Sequence, residues 1–274
     1  MYLQRNTRRI LEELKIKPSR RRGQHFVVSE ELVETMIAAA ELSQDDVVLE
    51  IGAGLGTLTE RLAEKAGKVL AVEVDRRMAQ YLEEKFKGSN VEVIHADILK
   101  IPLPPADKVV SNLPFSISTP ITIKLLKEGT FRRAVLTFQK EVALRIAALP
   151  GSRDYGRLSV LVQLLTEPKL LRVFPSHAFY PQPEVDVAVV CLDRRERPLV
   201  NDVEVLEKTA RRLFSQRNRV LRKALKTALQ LDERSLTKVL QRIPREFAMK
   251  RVYELSPLEI AEIASVLRTV GVLS

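Results

Sequence analysis

Val47-Val48-Leu49-Glu50-Ile51-Gly52-Ala53-Gly54-Leu55-Gly56-Thr57-Leu58-Thr59 is the stretch whose reading sets the fold. Its first five residues read as a buried strand that carries a single acid, Glu50. Alternating glycines then allow a sharp turn and let a ligand come close to backbone amides. From Thr57 the spacing of Leu58, Leu62 and Ala66 is that of a helix face. A dinucleotide fingerprint, G-x-G-x-x-G counted from Gly52, would need glycine where Thr57 stands. The loop is therefore a nucleotide-type turn of another spacing.

Outward from this unit the same pattern repeats. A second strand over 69–74 leads into a helix over 76–86, and further strands are expected at 91–94, 108–111 and 134–138. Strands alternating with helices imply an α/β fold: a Rossmann-like, mostly parallel sheet covered on both faces. Runs 158–165 and 185–192 have no long helix between them and predict an antiparallel strand pair at the sheet edge. The polar segment 193–198 reads as a linker, and everything after it has helical spacing. Within that part Ser256-Pro257-Leu258-Glu259 is a helix start with a capping box. The expected domains are a basic arm, 1–22, a catalytic domain, 23–192, and a small all-helical domain, 193–274.

The net charge of +10 is unevenly spread. Residues 1–22 hold eight basic groups against two acids, and 193–274 hold 18 against 11. The middle, 23–192, has 19 against 22. Basic ends on a near-neutral body suit a polyanion gripped at the ends while the body performs other work. No run of about 18 apolar residues exists to span a bilayer, and no apolar anchor follows the basic segments. The lone Cys191 excludes an internal disulfide and reads as a small buried apolar residue. His25, His95 and His177 lack metal-ligand spacing, so no metal is expected. These features describe a soluble cytoplasmic protein, with a monomer as the default.

The glycine loop, as E-x-G-x-G-x-G, resembles the first motif of S-adenosylmethionine (SAM) dependent methyltransferases. Glu73 closes the second strand, where an acid can accept hydrogen bonds from both ribose hydroxyls of such a cofactor. Asp97 follows the third strand and is placed to bond the exocyclic amine of the cofactor adenine. Either acid alone reads as a helix cap; it is their common register at strand carboxyl ends that points to a ligand. After the fourth strand comes Asn112-Leu113-Pro114-Phe115. An exocyclic adenine amine is a poor nucleophile because its lone pair is delocalised into the ring. Acceptors for both its hydrogens, here the Asn112 side-chain oxygen and the Leu113 carbonyl, would return that pair to the nitrogen. Pro114 would fix the turn, and Phe115 would stack on the base.

Taken together these motifs resemble the small-subunit ribosomal RNA adenine dimethyltransferase family over nearly the whole chain. The likeness rests also on Gly23-Gln24-His25-Phe26-Val27, on Asn112 to Pro120 and on Gln139 to Ala143. Tyr155 to Val160, Phe179 to Asp186 and Phe214 to Arg219 extend it. The resemblance implies that Gln24, His25 and Val27 border SAM, with Gly52, Gly54, Gly56, Glu73, Asp97 and Asn112 completing its site. It implies that Phe179 covers the second face of the target adenine. Ser29 stands where that family often has an acid, Phe115 where tyrosine is frequent, and Val187 where serine is usual.

The implied partner is ribosomal RNA in a precursor of the small ribosomal subunit. Residues 211–226 carry seven basic groups and no acid, and Arg212, Arg219, Arg222 and Lys226 share a face if the segment is one helix. With Arg217 and Lys223 this stripe is expected to follow phosphates, and Arg20, Arg21 and Arg22 to add a second contact. Alternatives in view are a large-subunit adenine methyltransferase of the resistance type and a non-catalytic ribosome assembly factor that keeps the fold. A DNA adenine methyltransferase would more usually carry [DN]-P-P-[YF].

Overall fold

A strand that ends in a glycine turn can feed a helix back across its own sheet, and the chain does this repeatedly. The computed structural model describes residues 2–19, 23–197, 199–200 and 202–273. It begins with α1 (Tyr2–Glu13), β1 (Phe26–Val27), α2 (Glu30–Ala40), β2 (Val47–Ile51), α3 (Thr57–Lys65), β3 (Lys68–Glu73) and α4 (Arg76–Lys85). There follow β4 (Val91–His95), β5 (Lys108–Ser111), α5 (Ser118–Glu128), β6 (Arg133–Gln139), α6 (Lys140–Ile146) and α7 (Arg157–Leu165). Then come β7 (Thr166–Phe174), β8 (Phe179–Tyr180) and β9 (Val187–Arg194). The helices α8 (Val203–Phe214), α9 (Leu221–Ala228), α10 (Glu233–Leu240), α11 (Arg245–Met249) and α12 (Pro257–Thr269) complete it.

Among the described residues seven strands form one sheet in the order β4-β3-β2-β5-β6-β9-β7. The pairs β3–β4, β2–β3, β2–β5 and β5–β6 are parallel, and β9 runs antiparallel to β6. The chain winds from β2 outward to β4, then returns to start β5 on the other side of β2. That reversal opens a crevice at the strand carboxyl ends, where α/β sheets bind their ligands. One core lies between the sheet and α2 and α3, built on Leu32, Met36, Leu62, Val48, Val110 and Val135. Ser29 caps α2 through its hydroxyl, which accepts from the Leu32 amide at 3.3 Å.

The strand expected over 158–165 is a helix, α7, and the strand follows it as β7. Leu158, Val160, Leu161, Val162, Leu164 and Leu165 are all buried. A helix enclosed on every side shows no polar face, so a short apolar run cannot be told from a strand by period. Ser159 settles its start by accepting from the Gly156 amide at 3.0 Å and donating to the Arg145 carbonyl at 2.6 Å.

Contacts divide the chain into two units, 1–143 with 169–194 and 144–168 with 195–274. Residues 144–168, placed by sequence in the catalytic segment, thus pack with the C-terminal helices, where α7 meets α8 and α12. The arm is not merely basic: α1 buries Ile10 and Leu11 with Ile16, Leu55 and Met78. In the second unit α12 starts as its sequence predicts, with Ser256 and Glu259 exchanging hydrogen bonds of 3.2 and 2.7 Å.

Candidate active site

A cavity of about 790 Å³ opens at the carboxyl ends of β2, β3, β4 and β5. Glu50, Ile51, Gly52 and Gly54 come to it from β2 and its turn, Glu73 from β3, Asp97 from the end of β4, and Asn112 and Pro114 from β5. Gln24, His25 and Val27 close another side. Nine of the residues singled out by sequence therefore line this one cavity.

The glycine loop contributes shape more than donors. The Gly52 amide is bonded to the Val72 carbonyl at 2.7 Å, Gly54 to Glu73 Oε2 at 2.9 Å and Gly56 to the Ala53 carbonyl at 2.9 Å. Gly56 does not line the cavity. At φ 77°, a Cβ there would lie 2.9 Å from Leu82 Cδ2 and from Phe86 Cε2, so its task is to seat α3 against α4. Gly23, at φ 62°, is required by backbone: a Cβ would lie 2.7 Å from the Ser116 nitrogen.

Glu73 accepts from the amides of Gly54, Val74 and Asp75, each at 2.9 Å. Burial raises its pKa, and those three amides oppose the rise. A carboxylate has about four acceptor sites, so one remains for the cavity that Glu73 lines. Asp97 accepts from the Leu99 amide at 3.0 Å, leaving its second oxygen 3.5 Å from Lys100 Nζ. Gln24 is held by the Ser19 amide, which donates to its Oε1 at 2.9 Å. Glu50, absent from the sequence-derived site, is fully enclosed and accepts from Thr59 Oγ1 at 2.6 Å. Burial pushes its carboxyl up to about 8. The sign that marked it was an acid inside a strand otherwise apolar.

Asn112 is fixed at both ends of its amide. Nδ2 donates to the His25 carbonyl at 2.8 Å, and Oδ1 accepts from Thr137 Oγ1 at 2.7 Å. A carbonyl can only accept, so the nitrogen must face His25 and the Thr137 hydroxyl must be the donor. One lone pair of Oδ1 is used in this way. Thr137, fully buried on β6, gave no sign in the sequence beyond being a polar residue in an apolar strand.

The aromatic pair departs from expectation. Phe115 stacks on His25 with centroids 5.1 Å apart, and meets Phe179 edge-on at 6.3 Å and 64°. Two rings at that angle do not make the parallel slot that a base needs, and neither lines the cavity. Phe179 is fully buried, as is the Leu113 side chain. His25 also bonds through Nδ1 to the Pro181 carbonyl at 2.7 Å. The short pair β1–β8 sets Val27 opposite Phe179 and Phe26 opposite Tyr180.

The basic stripe is not one helix. Helix α8 ends at Phe214 and α9 starts at Leu221, with the turn between them tied by Arg219 N to Gln216 O at 2.8 Å. Arg212, Arg219, Arg222, Lys223 and Lys226 are exposed. Arg219 donates to Thr227 Oγ1 at 3.1 Å, and Lys226 pairs with Glu233. Arg217 is turned inward, donating to the carbonyls of Ser152 and Tyr155 at 3.2 Å each. Arg20, Arg21 and Arg22 lie outside the described residues. Among the described residues no helix is long and apolar enough to cross a membrane.

A probable ribosomal RNA small subunit methyltransferase A from Thermococcus gammatolerans is 42% identical over 268 residues, 97% of this chain and 95% of that protein. A dimethyladenosine transferase structure from Plasmodium falciparum has a TM-score of 0.79 at 27% identity, covering 91% of this chain and 99% of that one. The structure of the 23S rRNA methyltransferase ErmE has a TM-score of 0.64 at 28% identity, covering 89% and 99%. The family model described as ribosomal RNA adenine dimethylase matches residues 16–265, and the chain belongs to that family.

Proposed function

We propose that the chain transfers methyl groups from SAM to the N6 amine of adenines in small-subunit ribosomal RNA, as a step in maturation of that subunit. The observation that carries the reading is the pinned Asn112 amide on the wall of the cavity that Glu73 and Asp97 also line. The cavity suits a nucleoside cofactor in size and in donor chemistry, since Glu73 and Asp97 offer acceptors where hydroxyls and an amine need them. Glu73 would hold the ribose and Asp97 the adenine amine of SAM. Gln24, His25 and Val27 would border it, with Gly52 and Gly54 permitting close approach. When bound, the cofactor supplies an electrophilic methyl group.

The protein's own part is to prepare the nucleophile. The second lone pair of Asn112 Oδ1 and the Leu113 carbonyl accept the two amine hydrogens and draw the nitrogen towards tetrahedral geometry. Phe115 leaves its edge contact with Phe179 to admit the base between them, and the stacked rings then hold it in line. The amine becomes acidic once methylated and sheds its proton to water, so no strong base is required. Arg212, Arg219, Arg222, Lys223 and Lys226 grip phosphates, with Arg20, Arg21 and Arg22 as a second contact. A looped adenine enters without the breaking of a pair.

The test is transfer of labelled methyl from SAM to undermethylated small and large ribosomal subunits, with the product nucleoside identified by mass. N6,N6-dimethyladenosine confined to the small subunit is expected. Label only in the large subunit, or none with SAM bound, overturns the reading. Asn112→Ala should lower turnover far more than RNA binding, because its acceptor acts in the transition state.

A further inference from the structure

Two stretches that the catalytic reading leaves without a task, Tyr155 onward and Phe214 to Arg217, meet in the second unit around a separate concavity of about 270 Å³. It is lined by Arg145, Arg153, Asp154, Tyr155, Phe214 and Arg217, with Gly156. Three guanidinium groups thus face one carboxylate. Arg217 is fastened by the Ser152 and Tyr155 carbonyls and lies over the Tyr253 ring, 5.3 Å from its centroid. It therefore braces the turn that carries Arg153. Tyr155, which donates to the Leu255 carbonyl at 2.9 Å, and Phe214 meet edge-on at 5.6 Å and make an apolar floor.

Arg145 and Arg153 are exposed, and among the described residues neither side chain has an ion-pair or hydrogen-bonded partner. Solvated arginines normally spread apart. Here a rigid wall gathers them round a recess, and a concave low-dielectric site concentrates their field on whatever sits inside. The guanidinium fork matches phosphate oxygens two at a time. We propose that this recess binds a phosphate group, supplied by the backbone of the substrate RNA, with Arg145 and Arg153 as the direct donors and Arg217 as the brace. The proposal rests on the reading of the substrate as RNA, and adds a contact on a different part of the unit from the exposed cations at the end of α8, in the turn after it and on α9.

The test compares Arg145→Ala/Arg153→Ala with Arg219→Glu/Arg222→Glu, in full-length protein, by binding to undermethylated small subunits across salt concentrations. Both altered arginines of the recess are exposed, so the fold should survive; circular dichroism and SAM binding check that it does. Loss of one phosphate contact should weaken binding and reduce the slope of log K against log salt by about 0.7–0.9. Arg145→Lys/Arg153→Lys should restore the slope and only part of the affinity, because a lysine gives charge without the fork. An unchanged slope in the alanine pair, with the Glu pair impaired, overturns the recess and leaves the RNA reading standing. No change in either pair overturns both. Inorganic phosphate in a parallel titration identifies the source: millimolar saturation without loss of subunit affinity would mark a free-phosphate site and overturn the RNA assignment.

Discussion

Thr137→Val tests the pinned amide most directly. Valine keeps the branching of threonine and removes only the hydroxyl that donates to Asn112 Oδ1 at 2.7 Å. A buried hydrogen bond contributes about 1 kcal/mol net, so melting should fall by about 2–4 °C for a chain of this size. The larger consequence is orientational. Held only through Nδ2 at His25, the amide can turn, and about 1 kcal/mol of lost preference shifts the ratio of correct to turned amide about fivefold against the correct one. Single-turnover methyl transfer to small subunits should then slow by about twofold and at most about fivefold, with SAM affinity by equilibrium dialysis and KM for RNA close to the parent's. Thr137→Ser retains the donor and should recover most of the rate. A Val variant that melts earlier yet transfers at the parental rate would refute the positioning role. So would a Ser variant as slow as Val.

Glu50→Gln should change how stability depends on pH. The folded protein holds this proton up to about pH 8 against an ordinary glutamate value of 4.5, so the folded state binds more protons than the unfolded one between those limits. Stability from this group therefore falls as pH rises through that window, by about 1.4 kcal/mol per pH unit at most. Glutamine cannot titrate and can still accept from Thr59, so the variant should gain on the parent from pH 5 to pH 8 in denaturant unfolding; a constant gap would sink the idea. Gly56→Ala forces a Cβ to 2.9 Å from Leu82 and Phe86 at a positive φ, and should cost about 2–4 kcal/mol. SAM affinity of the folded fraction should stay near the parent's, and a selective loss of affinity would return Gly56 to the ligand wall. Arg219→Glu/Arg222→Glu should weaken RNA binding and flatten its salt dependence; an unaltered slope would make these arginines a merely solvated face.

The parallel sheet was legible because its signal is local: strand, glycine turn, helix, then the next strand, each within a few residues. The acids Glu73 and Asp97 were legible for the same reason, since a strand end fixes where the following side chain emerges. What failed was anything decided by surroundings. Helix α7 is enclosed, so its sequence carries no amphipathic period. Arg211 to Lys226 has helical composition throughout, yet the turn after Phe214 breaks it, held by a bridge from Val220 to Arg251, 31 residues away. Gly56 was legible as a glycine of the loop but not as one that serves α4. Thr137 could not have been found by spacing, because its role exists only when β5 and β6 lie side by side.

The two-residue ladder between β1 and β8 joins chain segments some 150 residues apart. Val27 lines the cavity and Phe179 is fully buried, while His25 holds Asn112 through its carbonyl and Pro181 through its ring. Whatever steadies residues 24–27 steadies the far strand as well. On the proposed reading, occupancy of the cofactor half of the site would bear on the half that takes the base. Thermodynamic linkage makes that dependence symmetric: if the methyl donor tightens the grip on RNA, RNA must tighten the binding of the donor by the same equilibrium factor. An enzyme that has to methylate one nitrogen twice, with the spent donor exchanged in between, would then have its processivity written into four paired residues.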